Sequence, residues 1–149
     1  MLAGVGDRVR FEAQPAVRLE ELARSASPDG AYPFVLSGVE PIVIETAGIV
    51  AAVARDIDRG EPAAVVARRF HTTVVELIAA ACTSLASSEG VDQVVLSGGC
   101  FQNAILAAEV PVRLAKAGLR VHTHRQVPPN DGGLCLGQLA IAAAQAGGG

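Results

Sequence analysis

Val94-Val95-Leu96-Ser97-Gly98-Gly99-Cys100-Phe101-Gln102-Asn103 is the stretch on which the fold turns. Val91 to Leu96 is a short run of mainly apolar and β-branched residues, the pattern of a buried strand. Ser97-Gly98-Gly99 interrupts it, and a helical pattern follows from about Phe101 to Ala117, where Gly118 stops it. Leu119 to Thr123 forms a second strand. Strand, glycine turn, helix and strand in this order make a βαβ unit, in which a right-handed crossover leaves the two strands parallel. Val127-Pro128-Pro129-Asn130-Asp131-Gly132-Gly133 is then a loop, and a last helix runs from about Leu134 to Gln145.

Working back toward the amino end, Pro62 suits the first turn of a long helix that reaches Ser88 and is stopped by Gly90. Its apolar residues Val66, Phe70, Val74, Leu77, Ile78, Ala81 and Leu85 recur at helical spacing. Thr46 can cap a helix that runs to about Arg59 and ends at Gly60. Tyr32–Leu36 and Ile42–Ile44 are strand-like runs around Ser37-Gly38, a hairpin pattern. Gln14 to Ser25 is an amphipathic helix, and Met1 to Phe11 has no core pattern of its own. The fold class is therefore α/β. No internal repeat or linker divides the chain, so residues 1–146 read as one domain and the glycines at 147–149 as a disordered tail.

Composition narrows the function. Half of the 149 residues are hydrophobic but only 3% are aromatic, so the core is aliphatic. A net charge of −3 without a basic run removes the electrostatic footprint of nucleic-acid binding. No uncharged apolar stretch approaches the roughly 18 residues of a membrane span, and the amino end lacks a signal-peptide pattern. Three cysteines, with no CxxC spacing, make neither a disulfide framework nor a zinc knuckle, and a reducing cytoplasm is expected. Low charge combined with high mean hydropathy implies either deep burial or membership of a larger body.

Four groups of residues could carry chemistry. Ser97-Gly98-Gly99 lets a ligand approach the backbone, and N–H groups at the start of the following helix favour anions. The turn also lies at the carboxyl end of a strand, where open α/β sheets place ligands. Asn103, one turn into that helix, could bond a nucleoside; the alternative is a tight turn with no ligand. Asp131, between two prolines and two glycines, is either a helix N-cap or a carboxylate ligand for a metal. His122 and His124 alternate at strand period and form either a chelating pair or a partly exposed strand face. His71 is a hydrogen-bonded helix residue or a cleft group, and Cys100 a reactive thiol or a small buried filler. Ser97 has no evident partner base.

Taken together these residues are specific. Leu96-Ser97-Gly98-Gly99-Cys100-Phe101-Gln102-Asn103 followed by Pro128-Pro129-Asn130-Asp131-Gly132-Gly133-Leu134-Cys135-Leu136-Gly137-Gln138 closely resembles the carboxyl end of the HypF carbamoyltransferase family, which matures NiFe hydrogenases. Phe11-Glu12-Ala13-Gln14-Pro15-Ala16 is similar to that family's YEGQAA stretch, with Phe11 for Tyr, Ala13 for Gly and Pro15 for Ala. Tyr32-Pro33-Phe34 and Ala67-Arg68-Arg69-Phe70-His71 agree as well, and Cys100 stands where the family often has Val.

The resemblance implies an actin-like ATPase (ribonuclease H-like) fold with a mixed sheet flanked by helices, of which this chain supplies the second subdomain. It implies that Ser97, Gly98, Gly99 and Gly132 face the nucleotide, ATP, ADP or carbamoyl-adenylate. It places Asn103 at the nucleoside and makes Asp131 the catalytic carboxylate and ligand of a divalent metal, iron or zinc. The implied reaction moves a carbamoyl group from carbamoyl-adenylate to the carboxyl-terminal cysteine of HypE, on the way to cyanide. The family's adenylating domain and its HxxxH metal-binding pair are not in this sequence, whose histidines are His71, His122 and His124. The expectation is thus a half-module, inactive until joined by the amino-terminal part of HypF, with an exposed apolar face or self-association when alone. The rival readings are a non-catalytic nucleotide-binding or assembly domain and a fragment of an O-carbamoyltransferase.

Overall fold

Helix α3, Ala63–Glu89, is the 27-residue axis of the molecule, here described by a computed structural model over residues 9–38 and 40–147. Pro62, with φ −58°, presets its entry, and Gly90 ends it in the left-handed region at φ 65° while the Val91 N–H reaches back to the Ala86 carbonyl at 3.1 Å. Around this axis the chain runs α1 (Gln14–Arg24), β1 (Val35–Ser37), β2 (Val43–Glu45), α2 (Ala47–Asp58), then α3, β3 (Gln93–Leu96), α4 (Ala104–Lys116), β4 (Arg120–Thr123) and α5 (Leu134–Ala146). Short 3₁₀ turns at Gly99–Gln102 and Asp131–Gly133 precede α4 and α5.

α3 is also, among the described residues, the one helix long and apolar enough to cross a membrane by length and composition. Arg68, Arg69 and Glu76 within it are nevertheless tied to other elements. Arg68 pairs with Glu109 on α4 at 2.6 Å, Arg113 with Glu76 at 2.9 Å, and Arg69 with Asp29 at 2.6 Å and with Asp56 of α2. Together with apolar contacts to α1, α2 and α4, that is the packing of a core helix.

The largest core cluster sits where α3 and α4 cover one face of the β3–β4 pair: Val75, Ala79, Leu96, Leu106, Val110 and Leu114 are all buried. A second cluster joins Ala23 of α1 to Ala67 and Ile105, and a third joins Tyr32 to Ile49 and Ala52 of α2. At the third, the Tyr32 hydroxyl donates to Asp56 Oδ2 at 2.9 Å and the Tyr32 N–H donates to Thr73 Oγ1 at 2.7 Å. Burial and the neighbouring Asp56 carboxylate push the Tyr32 hydroxyl up to about 12. Burial alone would raise Asp56, but the Tyr32 hydroxyl and the Arg69 guanidinium outweigh it and hold the carboxyl below its ordinary value.

The βαβ unit forms as its glycine punctuation requires: β3 and β4 are parallel, from Gln93↔Arg120 to Leu96↔Thr123. The hairpin forms too, with Val35 opposite Glu45 and Ser37 opposite Val43. The expected single mixed sheet does not. The described strands make two separate two-stranded sheets, one antiparallel and one parallel. β3 is also not buried on both sides, since Leu96 points into the core while Val95 is 69% exposed on the outer face. Helix α5 carries that exposure further. None of its residues is buried, and Leu134, Leu139 and Ile141 are each at least 60% exposed. The apolar face expected of a half-module is therefore present, along α5 and the outer side of β3. Of the tail expected at 147–149, Gly147 closes α5 and 148–149 lie outside the described residues, as does most of the 1–11 segment.

Candidate functional site

Two glycine loops meet at the carboxyl end of the parallel pair. The chain leaves β3 through Ser97 and Gly98, whose φ of 102° and ψ of 160° are open essentially only to glycine. In that conformation the Gly98 N–H donates to the Pro129 carbonyl at 2.7 Å, which pins the first loop to the second. The second loop is itself rigid. Asn130 Oδ1 accepts from the Gly132 N–H at 3.1 Å, and the Gly133 N–H donates to the Asn130 carbonyl at 2.9 Å. A side chain on Gly133 would sit 2.8 Å from the Pro128 carbonyl oxygen, so the close return of the backbone requires glycine there.

Asp131 does not cap a helix: the cap belongs to Asn130, one residue earlier. The Asp131 carboxylate is exposed and takes no hydrogen bond or ion pair from the described residues, which leaves it free for a ligand. Among the described residues no group of three His, Cys, Asp or Glu side chains could hold a metal. The described residues thus form no complete metal site by themselves. His122 and His124 are both exposed and bonded elsewhere, His122 to Gln93 Oε1 and His124 to Ser97 Oγ, each at 3.0 Å. The second contact corrects the reading of Ser97, which does face an imidazole. No described group orients His124 in turn, so the pair is not a triad.

Asn103 is not one turn into a helix but the N-cap of α4. Its Oδ1 accepts from the Ile105 and Leu106 N–H groups, both at 3.1 Å. Glu20 Oε1 of α1 accepts from the Ala104 N–H at 3.0 Å, and the Ala107 N–H reaches the Asn103 carbonyl at 2.9 Å. All four amides at the start of α4 are therefore taken within the chain, and the expected anion donors are not there. The donors that remain belong to the preceding 3₁₀ turn, where Gly99 and Cys100, as its first two residues, have no acceptor one turn back. Cys100 is exposed, which rules out the buried-filler reading.

Beside this turn lies an open cleft of about 250 Å³ between α1, α3 and the start of α4. Its walls are apolar, including Ala16, Val17, Phe70 and Val74, with His71, Asn103 and Glu20 as polar groups. His71 is both a hydrogen-bonded core residue and a cleft group: it is 4% exposed, and its Nε2 lies 3.0 Å from Asn103 Nδ2. Local sequence patterns carry no sign of this contact, of Glu20 on α4, or of His124 on Ser97, because these partners are 32, 84 and 27 residues apart.

Residues 1–138 match the family model described as the carbamoyltransferase Kae1-like domain, second subdomain. The chain is 35% identical over 139 residues to the carbamoyltransferase HypF of Synechocystis sp., covering 93% of this chain and 17% of that protein. It is 34% identical to a HypF homolog of Cupriavidus necator, covering 95% of this chain and 37% of that protein. The crystal structure of full-length HypF in the phosphate- and nucleotide-bound form superposes with a TM-score of 0.88 at 34% identity, over 94% of this chain and 18% of that one. The HypF relatives are longer, so the chain corresponds to a fraction of the protein it resembles. With the match spanning nearly all of its length, this chain belongs to the HypF carbamoyltransferase family, as the second subdomain of its Kae1-like domain.

Proposed function

We propose that this chain is one wall of the active-site clamp of a HypF-type carbamoyltransferase, working in the cytoplasm. It would serve the transfer of a carbamoyl group from carbamoyl-adenylate to the carboxyl-terminal cysteine of HypE, the step that leads to the cyanide ligand of NiFe hydrogenases. The observation that carries this reading is the junction of the Ser97–Gly99 turn and the Pro128–Gly133 loop, held by the 2.7 Å bond from Gly98 to Pro129, with Asp131 uncommitted beside it.

Each residue then has a part. The exposed Gly99 and Cys100 amides donate to phosphate oxygens beside Ser97, whose hydroxyl is turned to the Pro129 carbonyl and His124, and Gly98 and Gly132 keep the backbone free of side chains where the phosphates pass. Asn103 faces the nucleoside. Asp131 supplies one ligand to a divalent metal, iron or zinc, whose other ligands come from the amino-terminal half. When bound, such a metal supplies Lewis-acid polarisation or a clamp on phosphate. In the transfer the thiolate sulfur forms a bond to the carbamoyl carbon while the bond from that carbon to the adenylate phosphate oxygen breaks. AMP leaves with the electron pair. The contribution of this chain is to hold the mixed anhydride in line for that attack.

On this reading transfer requires these residues together with the remainder of the HypF module, in cis or as a separate chain, which supplies the other metal ligands and the adenylating chemistry. The exposed apolar residues of α5 and β3 are the face that joins it, and without the partner they drive self-association. The test is HypE modification in a mixture of this chain with the remainder of HypF. Asp131→Ala is expected to abolish transfer and leave folding unchanged. Full transfer by Asp131→Ala would remove the carboxylate from the mechanism. A mixture that binds ADP but never modifies HypE would make this a nucleotide-binding assembly domain instead.

A further inference from the structure

The hydrogen-bond roles around Asn103 are fixed without reference to any ligand. Backbone N–H groups only donate, so the amide atom facing Ile105 and Leu106 must be the oxygen, and both of its lone pairs are used. Nδ2 is therefore the atom facing His71, and it donates, so His71 Nε2 must accept at 3.0 Å. The other ring nitrogen agrees: Nδ1 lies 2.8 Å from the Ala67 carbonyl, which only accepts, so Nδ1 carries the hydrogen. The ring is 4% exposed and sits one turn along α3 from Ala67.

We propose that His71 is a positioning residue for Asn103: by accepting from Nδ2 it locks the amide, so that Oδ1 caps α4 and the cleft receives one N–H and no acceptor from this side chain. The ligand group opposite Asn103 must then be a hydrogen-bond acceptor, such as a ring nitrogen or a carbonyl oxygen. A group that can only donate is refused. The lock is legible in the chain's own contacts, whereas its bearing on specificity rests on the reading of Asn103 as nucleoside-facing.

Nitrogen-15 spectra of the His71 ring in the 149-residue chain test the lock directly. The expected signature is a protonated Nδ1 and an unprotonated, hydrogen-bonded Nε2; a ring protonated at Nε2 alone overturns the proposal. Substitution gives a second arm. His71→Leu frees the amide to turn and raises hydrogen exchange at Ile105 and Leu106 by roughly five- to tenfold, the loss of a cap. His71→Gln keeps an acceptor near the position of Nε2 and restores most of that protection. Unchanged exchange in His71→Leu, or a His71→Gln variant as unprotected as His71→Leu, refutes the lock. In the mixture with the rest of the module, ADP affinity is expected to fall with His71→Leu and recover with His71→Gln. Failure of the wild-type mixture to bind ADP refutes the nucleotide reading alone, because the ring spectrum judges the lock separately.

Discussion

Tyr32 is the only tyrosine in a chain without tryptophan, so its ionisation can be followed by phenolate absorbance with no overlapping signal. It is 4% exposed and donates to Asp56, and these two facts push its hydroxyl from an ordinary value of 10.0 up to about 12. Between those values the unfolded chain has lost the phenolic proton while the folded chain keeps it. Unfolding then releases a proton, and rising pH favours it. The contribution of Tyr32 is thus whole below about pH 10 and gone near pH 12, and a displacement of this size corresponds to roughly 2–3 kcal/mol. Tyr32→Phe removes that limb. At pH 7 it costs about 1–2 kcal/mol, because Asp56 loses a donor. The stability curves of the two proteins should converge as pH rises from 10 to 12. Urea denaturation across that range measures the convergence. The half-buried Cys82 thiol, also raised by desolvation, titrates in both proteins and cancels in the difference. A native phenolate midpoint near 10, or parallel stability curves, would refute the account of a buried Tyr32–Asp56 pair.

Other outcomes can be checked alongside. Asp56, held below its ordinary value of 3.8, contributes stability above that pH that is lost as pH falls through the folded value, and Asp56→Asn should flatten this acid limb in the same denaturation assay. Ala13 has φ 61°, a left-handed residue where the family pattern places glycine, so Ala13→Gly is expected to raise stability by about 1 kcal/mol, or roughly 2–4 °C in Tm. Gly133→Ala drives a Cβ to 2.8 Å from the Pro128 carbonyl oxygen and should cost about 1–3 kcal/mol, whereas Gly137→Ala on α5 meets nothing within 4 Å and should gain up to about 1 kcal/mol; calorimetry ranks the two. Leu139→Gln with Ile141→Gln, at positions 67% and 61% exposed, should lower the sedimentation coefficient of the isolated chain by weakening self-association.

Most of the local architecture was legible because it is written in short-range chemistry. Gly90 and Gly118 end their helices with positive φ, Pro62 opens α3, and a glycine turn follows Leu96, where the strand ends as expected. What local patterns misplaced are features decided between elements. The start of α4 slid from Phe101 to Ala104 because the Ser97–Gly99 turn continues as a 3₁₀ turn, and that made Asn103 a cap rather than a helix-interior residue. The Asp131 cap failed for a similar reason: the 3₁₀ turn starts at Asp131, so Asn130, one residue earlier, holds the cap position and its Oδ1 takes the Gly132 N–H. Cys100 and Val95 looked like core residues by type, yet no described element covers either one.

The amino-acid sequence by itself determined the order of elements, the parallel βαβ unit and the two glycine loops, since backbone conformation and hydrophobic period are set within a few residues. Its low charge and high hydropathy left deep burial and membership of a larger body both open, and the structure leaves apolar residues exposed along α5 and at Val95 of β3. Only the tertiary structure decided what each site residue is free to do. The first α4 amide, Ala104, is closed to an anion by Glu20 from 84 residues away, Ser97 is met by His124, and His71 settles which end of Asn103 the cleft sees. Hydrogen-bond capacity is finite, so the partners a side chain already has fix what it can offer a ligand. Those partners are neighbours in space, not in sequence.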